Sequence, residues 1–300
     1  MAARGLPGPW GTLRRALTTL DFLSVVRPYL KGTHVPPPGD CLRDLLGNGR
    51  LFGAVGPQGG ALVIRGEAGV GKTALLDHAS ASSDFRVLRG TGVQAESELP
   101  YAAAHQLLCP LLPLLDALPV PQAQAVRVAL GMADGGAPDR FPVALGFLSL
   151  LSEAGRNQPV LCALDDVQWC DGASVDALLF VARRVTTDPV AFLFSVRDES
   201  ASEAFEPARV PELRVGGLSE EAAGELLTAA TGARLPHRVR SVLVRRTRGN
   251  PLALMELARA LSGAQLLGRE PLPDPLPVGD RLERAFLVRR TGHRCRPAQV

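Results

Sequence analysis

The segment Gly66–Thr73 has the residue types and the spacing of a loop that binds phosphate groups. Its glycines allow a tight backbone turn that points N–H groups at phosphate oxygens. The Lys72 ammonium would bridge the β- and γ-phosphates, and the Thr73 hydroxyl would bind Mg²⁺. A glycine-rich turn without ligand is the alternative, but an apolar run before the segment and a helical pattern after it favour the phosphate loop. The residues predicted to contact a nucleotide are Gly66, Glu67, Ala68, Gly69, Val70, Gly71, Lys72 and Thr73.

Two adjacent carboxylates, Asp165 and Asp166, follow the apolar run 160–164. Asp165 is predicted to hold Mg²⁺ through water, as the acidic partner of Thr73. Asp166 is predicted to orient or deprotonate the attacking water. Taken alone, such a pair is equally typical of a helix N-cap. The phosphate loop earlier in the chain favours the catalytic interpretation.

Arg197 follows another apolar run, Phe192–Val196. The carboxyl ends of parallel strands face the ligand crevice of an α/β sheet, so an arginine at this place is predicted to sense the γ-phosphate. A surface salt bridge with Asp198 or Glu199 is the alternative.

The nucleotide is predicted to be ATP by elimination. Guanine-specific proteins that resemble the Ras type read the base with the pattern Asn/Thr-Lys-x-Asp. The only lysines of the chain are Lys31 and Lys72, and neither lies in that pattern.

An alternation of strands and helices is required to bring these side chains together. Helical patterns separate the apolar runs, which indicates a mainly parallel α/β sheet flanked by helices. After residue 217 the strand pattern stops, and helices near 219–231, 236–248 and 251–262 predict a small all-α unit, with Ser219 as an N-cap. The predicted strands are Ala61–Arg65, Phe85–Arg89, Val160–Asp165, Val190–Val196 and Glu212–Val215.

These patterns divide the chain into four predicted parts. Residues 1–55 form an irregular leader, 56–217 the P-loop ATPase domain, 218–265 a helical lid, and 266–300 a connector and tail rich in proline and arginine. A proline-rich connector is typically stiff.

The composition is that of a globular protein, with 46% apolar and 21% charged residues. A net charge of +3 does not by itself indicate a nucleic acid or a membrane as partner. No apolar stretch is long enough to span a bilayer. The cysteines lack metal-binding spacing, which favours free thiols and a cytoplasmic protein.

Several motifs, in the same order, resemble those of the large ATP-binding regulators of the LuxR family, which are signal-transducing ATPases with numerous domains and include the maltose-regulon activator. The resemblance covers roughly residues 60–287 and implies a P-loop NTPase fold with an AAA-like sheet and a helical lid. It also implies that ATP acts as a switch for a transcription activator and that Pro251 packs near the adenine. A turn before the helix at Leu252 explains Pro251 equally well. The motifs are Gly66–Thr73, Glu96–Tyr101, Leu164–Asp171, Phe194–Arg197 and Arg248–Leu254.

The chain departs from this family in lacking a helical-repeat region and a helix-turn-helix, and the resemblance stops after Leu287. We therefore expect a truncated or frame-shifted member without specific DNA binding. The leading hypothesis is a slowly hydrolysing regulatory switch. The alternatives are a turnover AAA-type ATPase, acting as a remodeller or loader, and a non-hydrolysing interaction module. ATP and ADP are the predicted ligands, and protein partners or self-association through the ATPase domain are expected.

Overall fold

A computed structural model describes residues 60–81, 85–136, 139–185, 188–197, 210–274 and 276. The predicted leader 1–55 and most of the predicted tail lie outside these residues. The described chain forms two compact units. The first contains the residues up to Gly66 and Lys72–Arg214, and the second contains Glu67–Gly71 and the residues from Val215 onward.

Within the described residues, the sheet has five strands in the order β2-β3-β4-β1-β5. The pairs β1–β4, β2–β3 and β3–β4 are parallel. This arrangement confirms the predicted P-loop NTPase fold with a parallel sheet flanked by helices. The strands are β1 (Gly60–Gly66), β2 (Arg86–Thr91), β3 (Val160–Asp165), β4 (Val190–Arg197) and β5 (Glu212–Val215).

The central strands are apolar because both faces of the sheet are covered. Val63, Leu164 and Phe192 belong to the large core that also contains residues of α2, α4 and α5. The alternate residues Leu62 and Leu161 are equally buried, and α1 contacts the same strands. The helices of this unit are α1 (Lys72–Ala81), α2 (Ala102–Leu108), α3 (Val120–Ala129), α4 (Arg140–Gly155) and α5 (Gly172–Ala182).

The helical segment 102–117 is only partly α-helical. It becomes a 3-10 helix over Cys109–Ala117. Pro110 and Pro113 have no N–H to donate and hinder the regular α-helical bonding pattern, which accounts for the tighter winding.

Strand β5 lies beside β1 at one edge of the sheet. The Val63 N–H donates to the Pro211 carbonyl at 2.9 Å. The Arg65 side chain is only 2% exposed and makes two hydrogen bonds to the Glu212 carboxylate, at 2.8 and 3.2 Å. A bidentate pair of this kind fixes geometry as well as charge.

The second unit is mainly helical, as predicted after residue 217. Its helices are α6 (Glu220–Thr231), α7 (His237–Thr247), α8 (Pro251–Ala260) and α9 (Gly263–Leu266). Helix α6 contacts both α7 and α8, and the predicted N-cap Ser219 accepts a hydrogen bond from the Ala222 N–H at 3.2 Å. None of the helices in the described part of the chain combines the length and apolar character needed to traverse a bilayer.

Candidate functional site

The predicted phosphate loop joins the end of β1 to the start of α1. Gly69 and Gly71 have φ angles of 76° and 106°, which side chains rarely tolerate, so the turn depends on glycine at both positions. Lys72, the first residue of α1, is 7% exposed, and its Nζ donates to the Gly66 carbonyl at 2.9 Å. The loop lysine is therefore held against the end of the strand that precedes the loop.

Thr73 and Asp165, the two predicted Mg²⁺ ligands, are brought together by the fold. The Thr73 hydroxyl donates to Asp165 Oδ2 at 2.7 Å. The other carboxylate oxygen, Oδ1, accepts a hydrogen bond from the Ser195 hydroxyl. Ser195 is fully buried on β4, the strand next to β3, and its placement orients the Asp165 side chain.

Asp166 begins a sharp turn after β3. Its φ of 48° is left-handed, which is uncommon for a residue with a side chain. The Asp166 N–H donates to Asp165 Oδ1 and to Ser195 Oγ, each at 3.0 Å. Asp166 precedes the 3-10 helix Val167–Trp169, but its carboxylate does not cap that helix. Asp166 therefore does not act as a side-chain N-cap, which was the alternative interpretation.

The Asp166 carboxylate instead faces Gln168 and Arg197. Gln168 Nε2 donates to Asp166 Oδ1 at 2.6 Å, and Arg197 Nε lies 3.7 Å from the same oxygen. The Arg197 guanidinium also lies 6.0 Å from the centre of the Trp169 ring. Asp198 and Glu199, the alternative partners of Arg197, lie outside the described residues.

Gly92, in the loop after β2, packs against the backbone of the Asp165–Cys170 turn. Its N–H donates to the Asp165 carbonyl at 2.9 Å. A Cβ atom on Gly92 would lie 2.2 Å from the Asp166 carbonyl oxygen and 2.9 Å from the Cys170 nitrogen. Glycine is therefore required here for close approach of two backbone segments.

The buried Asp171 carboxylate ties α5 to α2. It is 3% exposed, and it accepts hydrogen bonds from the N–H groups of Tyr101 and Ser174, each at 2.8 Å, and of Ala103 at 3.2 Å. The Ser174 hydroxyl in turn accepts from the Ala104 N–H at 2.8 Å. This network connects the predicted family motif at Glu96–Tyr101 to the turn that carries Asp166.

In the second unit, the start of α8 contacts the middle of the phosphate loop. Asn250 Nδ2 donates to the Ala68 carbonyl at 2.9 Å, and the Leu252 N–H donates to the Gly69 carbonyl at 3.3 Å. Asn250 also caps α8 by accepting from the Ala253 N–H at 3.2 Å. Pro251 is buried at the first position of the helix, where its fixed φ fits a helix start.

Thr73, at the start of α1, and Asp165, at the end of β3, have the chemistry of a Mg²⁺ site that is completed by a nucleotide. Mg²⁺ in such sites takes one or two protein oxygens, with phosphates and waters as the other ligands. Thr73 Oγ1 and Asp165 Oδ2 supply two oxygens within 2.7 Å of each other. Among the described residues, no group of three or more His, Cys, Asp or Glu side chains could hold a metal ion by itself.

Two cysteines near the site have strongly raised pKa values. Burial raises the pKa of the Cys162 thiol on β3. Burial, together with the neighbouring carboxylates of Asp171, Asp166 and Asp165, raises the pKa of Cys170 to about 12. Both thiols therefore stay neutral at physiological pH, which does not suit a nucleophile or a metal ligand.

Sequence reasoning did not identify Ser195, Gln168, Asp171 or Asn250 as site residues. Ser195 had a usable signal, because it is a polar residue within the apolar strand Val190–Val196. Asp171 also had one, because aspartate before a helix is a typical N-cap. The contact of Gln168 with Arg197 and that of Asn250 with Ala68 depend on residues far away in sequence.

Residues 49–195 match the sequence profile of the AAA ATPase domain family, so this part of the chain is similar to AAA ATPase domains. No curated protein sequence matches the chain at a significant level.

Similar solved structures include a signal transduction ATPase with numerous domains from Pyrococcus horikoshii, which has a tetratricopeptide repeat sensor. It is 20% identical with a TM-score of 0.45, over 77% of this chain and 30% of that chain. The Walker-type ATPase of Pyrococcus abyssi is 12% identical with a TM-score of 0.46, over 77% and 67% of the two chains. The RuvB Holliday junction branch migration motor of Thermotoga maritima is 12% identical with a TM-score of 0.40, over 76% and 61%. The chain thus spans less than two thirds of the first and third of these proteins.

Proposed function

We propose that this AAA ATPase domain binds ATP with Mg²⁺ and acts as a slowly hydrolysing regulatory switch of a LuxR-type regulator. The contact that supports ATP and Mg²⁺ binding most directly is the 2.7 Å hydrogen bond from Thr73 to Asp165. It joins the end of the phosphate loop to the end of β3, where a metal ion bound to the phosphates requires its protein oxygens.

In this proposal each side chain has one role. Lys72 leaves the Gly66 carbonyl and bridges the β- and γ-phosphates, while Thr73 and Asp165 hold the metal ion. Mg²⁺, if bound by these residues, would neutralise charge that develops on the phosphate oxygens. Asp166 orients the attacking water and accepts its proton. Arg197 lies within reach of Asp166 and senses the γ-phosphate.

The switch role, the LuxR-type identity and ATP as the nucleotide rest on the sequence patterns. A switch of this kind uses the γ-phosphate to bias a segment or a domain between two states. We propose a cytoplasmic protein that responds to ATP and ADP, associates with protein partners or with itself through the ATPase domain, and does not bind specific DNA sequences. A turnover ATPase is the second candidate, supported by the ordered contacts that Asp166 makes.

Equilibrium binding of ATP in the presence of Mg²⁺ tests the site. Lys72→Ala should weaken binding about ten- to a hundredfold, since one charge-assisted hydrogen bond contributes about 1.5–3 kcal/mol. Arg156→Ala is the matched control, because Arg156 is a surface residue whose salt bridge with Glu153 lies on α4. Equal affinity of wild type and Lys72→Ala would refute the assignment of the phosphate loop.

Multiple-turnover hydrolysis, with Asp166→Asn as the control, separates a switch from a motor. Sustained turnover well above about 1 s⁻¹, within the ordinary range of enzymes, would contradict a slow switch and favour the second candidate. A wild type that binds ATP but hydrolyses no faster than Asp166→Asn would support the non-hydrolysing module.

The proposed contact of Pro251 with adenine is tested with two ligands. If Pro251 contacts the base, Pro251→Ala weakens ATP binding but leaves binding of inorganic tripolyphosphate unchanged. An equal loss for both ligands would mean that Pro251 acts only as the first residue of α8.

A further inference from the structure

The Gln168 side chain links the turn after β3 to the end of β4. Its Nε2 donates to Asp166 Oδ1 at 2.6 Å, and its Oε1 accepts from the Arg197 N–H at 3.2 Å. Only one orientation of the amide satisfies both contacts, because a carboxylate requires a donor and a backbone N–H requires an acceptor. The amide is therefore held at both ends by residues of the proposed hydrolytic group.

Both contacts that orient the Asp166 carboxylate involve the same oxygen. Oδ1 accepts from Gln168 and lies 3.7 Å from Arg197 Nε. Among the residues that the structure describes, none donates a hydrogen bond to Oδ2. The side chain is about one third exposed, so water can reach it. The carboxylate is thus oriented through one oxygen while the other remains available to water.

We propose that Gln168 is a positioning residue for ATP hydrolysis. It holds Asp166 so that Oδ2 accepts the proton of the attacking water. It also fixes the position of the end of β4, and thus of Arg197, relative to the Asp166 carboxylate. In the step itself, the water oxygen bonds to the γ-phosphorus, the bond from that phosphorus to the β–γ bridging oxygen breaks, and ADP leaves with the electron pair. The inference rests on the proposed function, because it requires Asp166 to act in hydrolysis.

Replacement by methionine keeps the length of the side chain but removes both polar contacts. For Gln168→Met we expect kcat to fall about ten- to a hundredfold, since a small misplacement of a catalytic group has effects of this size. The Kd for ATP should change less than about twofold, because the hydrogen bonds of the Gln168 side chain go to Asp166 and Arg197, which are not residues of the phosphate loop. Gln106→Met is the matched control, since Gln106 also accepts a hydrogen bond from a backbone N–H at a strand end, that of Thr91.

A double-mutant cycle distinguishes positioning from a general structural role. If Gln168 acts through Asp166, adding Gln168→Met to Asp166→Asn causes no further loss of kcat, because the group that it positions no longer accepts a proton. A structural role would lower kcat by the same factor in both backgrounds, and that result would overturn the proposal.

The variant Gln168→Glu keeps the acceptor for Arg197 and serves if the methionine variant does not fold. At neutral pH the new carboxylate repels Asp166 and lowers kcat. As the pH falls, the introduced carboxyl binds a proton and can again donate to Asp166, so kcat relative to wild type should rise.

Wild-type kcat for Gln168→Met would overturn this inference alone, provided that the wild type hydrolyses ATP faster than Asp166→Asn does. If the kcat of Gln168→Glu divided by the kcat of the wild type did not change with pH, that result would also contradict this inference but not the proposed function. Failure of the wild type to bind or hydrolyse ATP would overturn the inference together with the function on which it rests.

Discussion

Replacing Gly92 by alanine should disturb the candidate site more than its single added methyl group suggests. The new Cβ would lie 2.2 Å from the Asp166 carbonyl oxygen, 2.9 Å from the Cys170 nitrogen and 3.0 Å from the Trp169 carbonyl carbon. All three are backbone atoms, so no flexible side chain can move aside. Because separations under 3.0 Å are essentially never observed, the two segments must move apart by about 0.8 Å.

This displacement has two expected consequences. Overpacking a close contact costs about 1–3 kcal/mol of the free energy of unfolding. A shift approaching 1 Å in a catalytic group also costs about a hundredfold in rate. Since the atoms nearest to a Cβ on Gly92 belong to the turn that carries Asp166, we expect Gly92→Ala to lose hydrolysis while ATP affinity stays near that of the wild type.

Urea unfolding, ATP binding and single-turnover hydrolysis measure these three effects separately. Gly172→Ala is the matched control, because a Cβ on Gly172 meets no atom within 4 Å. If Gly92→Ala were as stable and as active as Gly172→Ala, the reasoning from the close backbone approach would be refuted.

Three further predictions follow from contacts around the site. Asp171→Ala leaves three buried N–H groups without their acceptor, so the free energy of unfolding should fall by about 3–5 kcal/mol in urea titrations; a loss under about 1 kcal/mol would contradict the network. Asn250→Ser keeps a helix cap but removes the hydrogen-bond donor to the Ala68 carbonyl, so calorimetry should show weaker ATP binding with little change in Tm. An unchanged affinity for ATP would mean that this hydrogen bond does not stabilise the phosphate loop in its binding conformation. Because the pKa of Cys170 is raised, its thiolate fraction at pH 8 is about a thousandfold below that of an ordinary thiol. Alkylation of Cys170, monitored by mass spectrometry, should therefore be slow and should accelerate as the pH rises. Rapid labelling of the folded protein at pH 8 would contradict the burial of the Cys170 thiol.

The sequence predicted β1, β3 and β4 well because each is a short apolar run covered on both faces. The binding roles of the loop Gly66–Thr73 and of Asp165 stay predictions, although the fold brings Thr73 and Asp165 into contact. The contacts of Ser195 with Asp165 and of Gln168 with Arg197 could not be derived in this way. They depend on β3 and β4 being neighbours in the sheet, which is a tertiary arrangement. The roles of Asp166 and Arg197 remain predictions that the hydrolysis experiments test.

A hydrogen bond from Asn250 to the Ala68 carbonyl joins the start of α8 to the phosphate loop, although the two residues are 182 positions apart in sequence. Because a peptide group is planar and trans, its C=O and N–H bonds point in opposite directions. A hydrogen bond that fixes the carbonyl therefore also fixes the direction of the N–H. The hydrogen bond to the Ala68 carbonyl therefore directs the Gly69 N–H away from Asn250. Such an amide needs no peptide flip to meet a negative charge. The direction of one N–H group in the predicted phosphate loop is thus set in part by Asn250, a residue outside that loop.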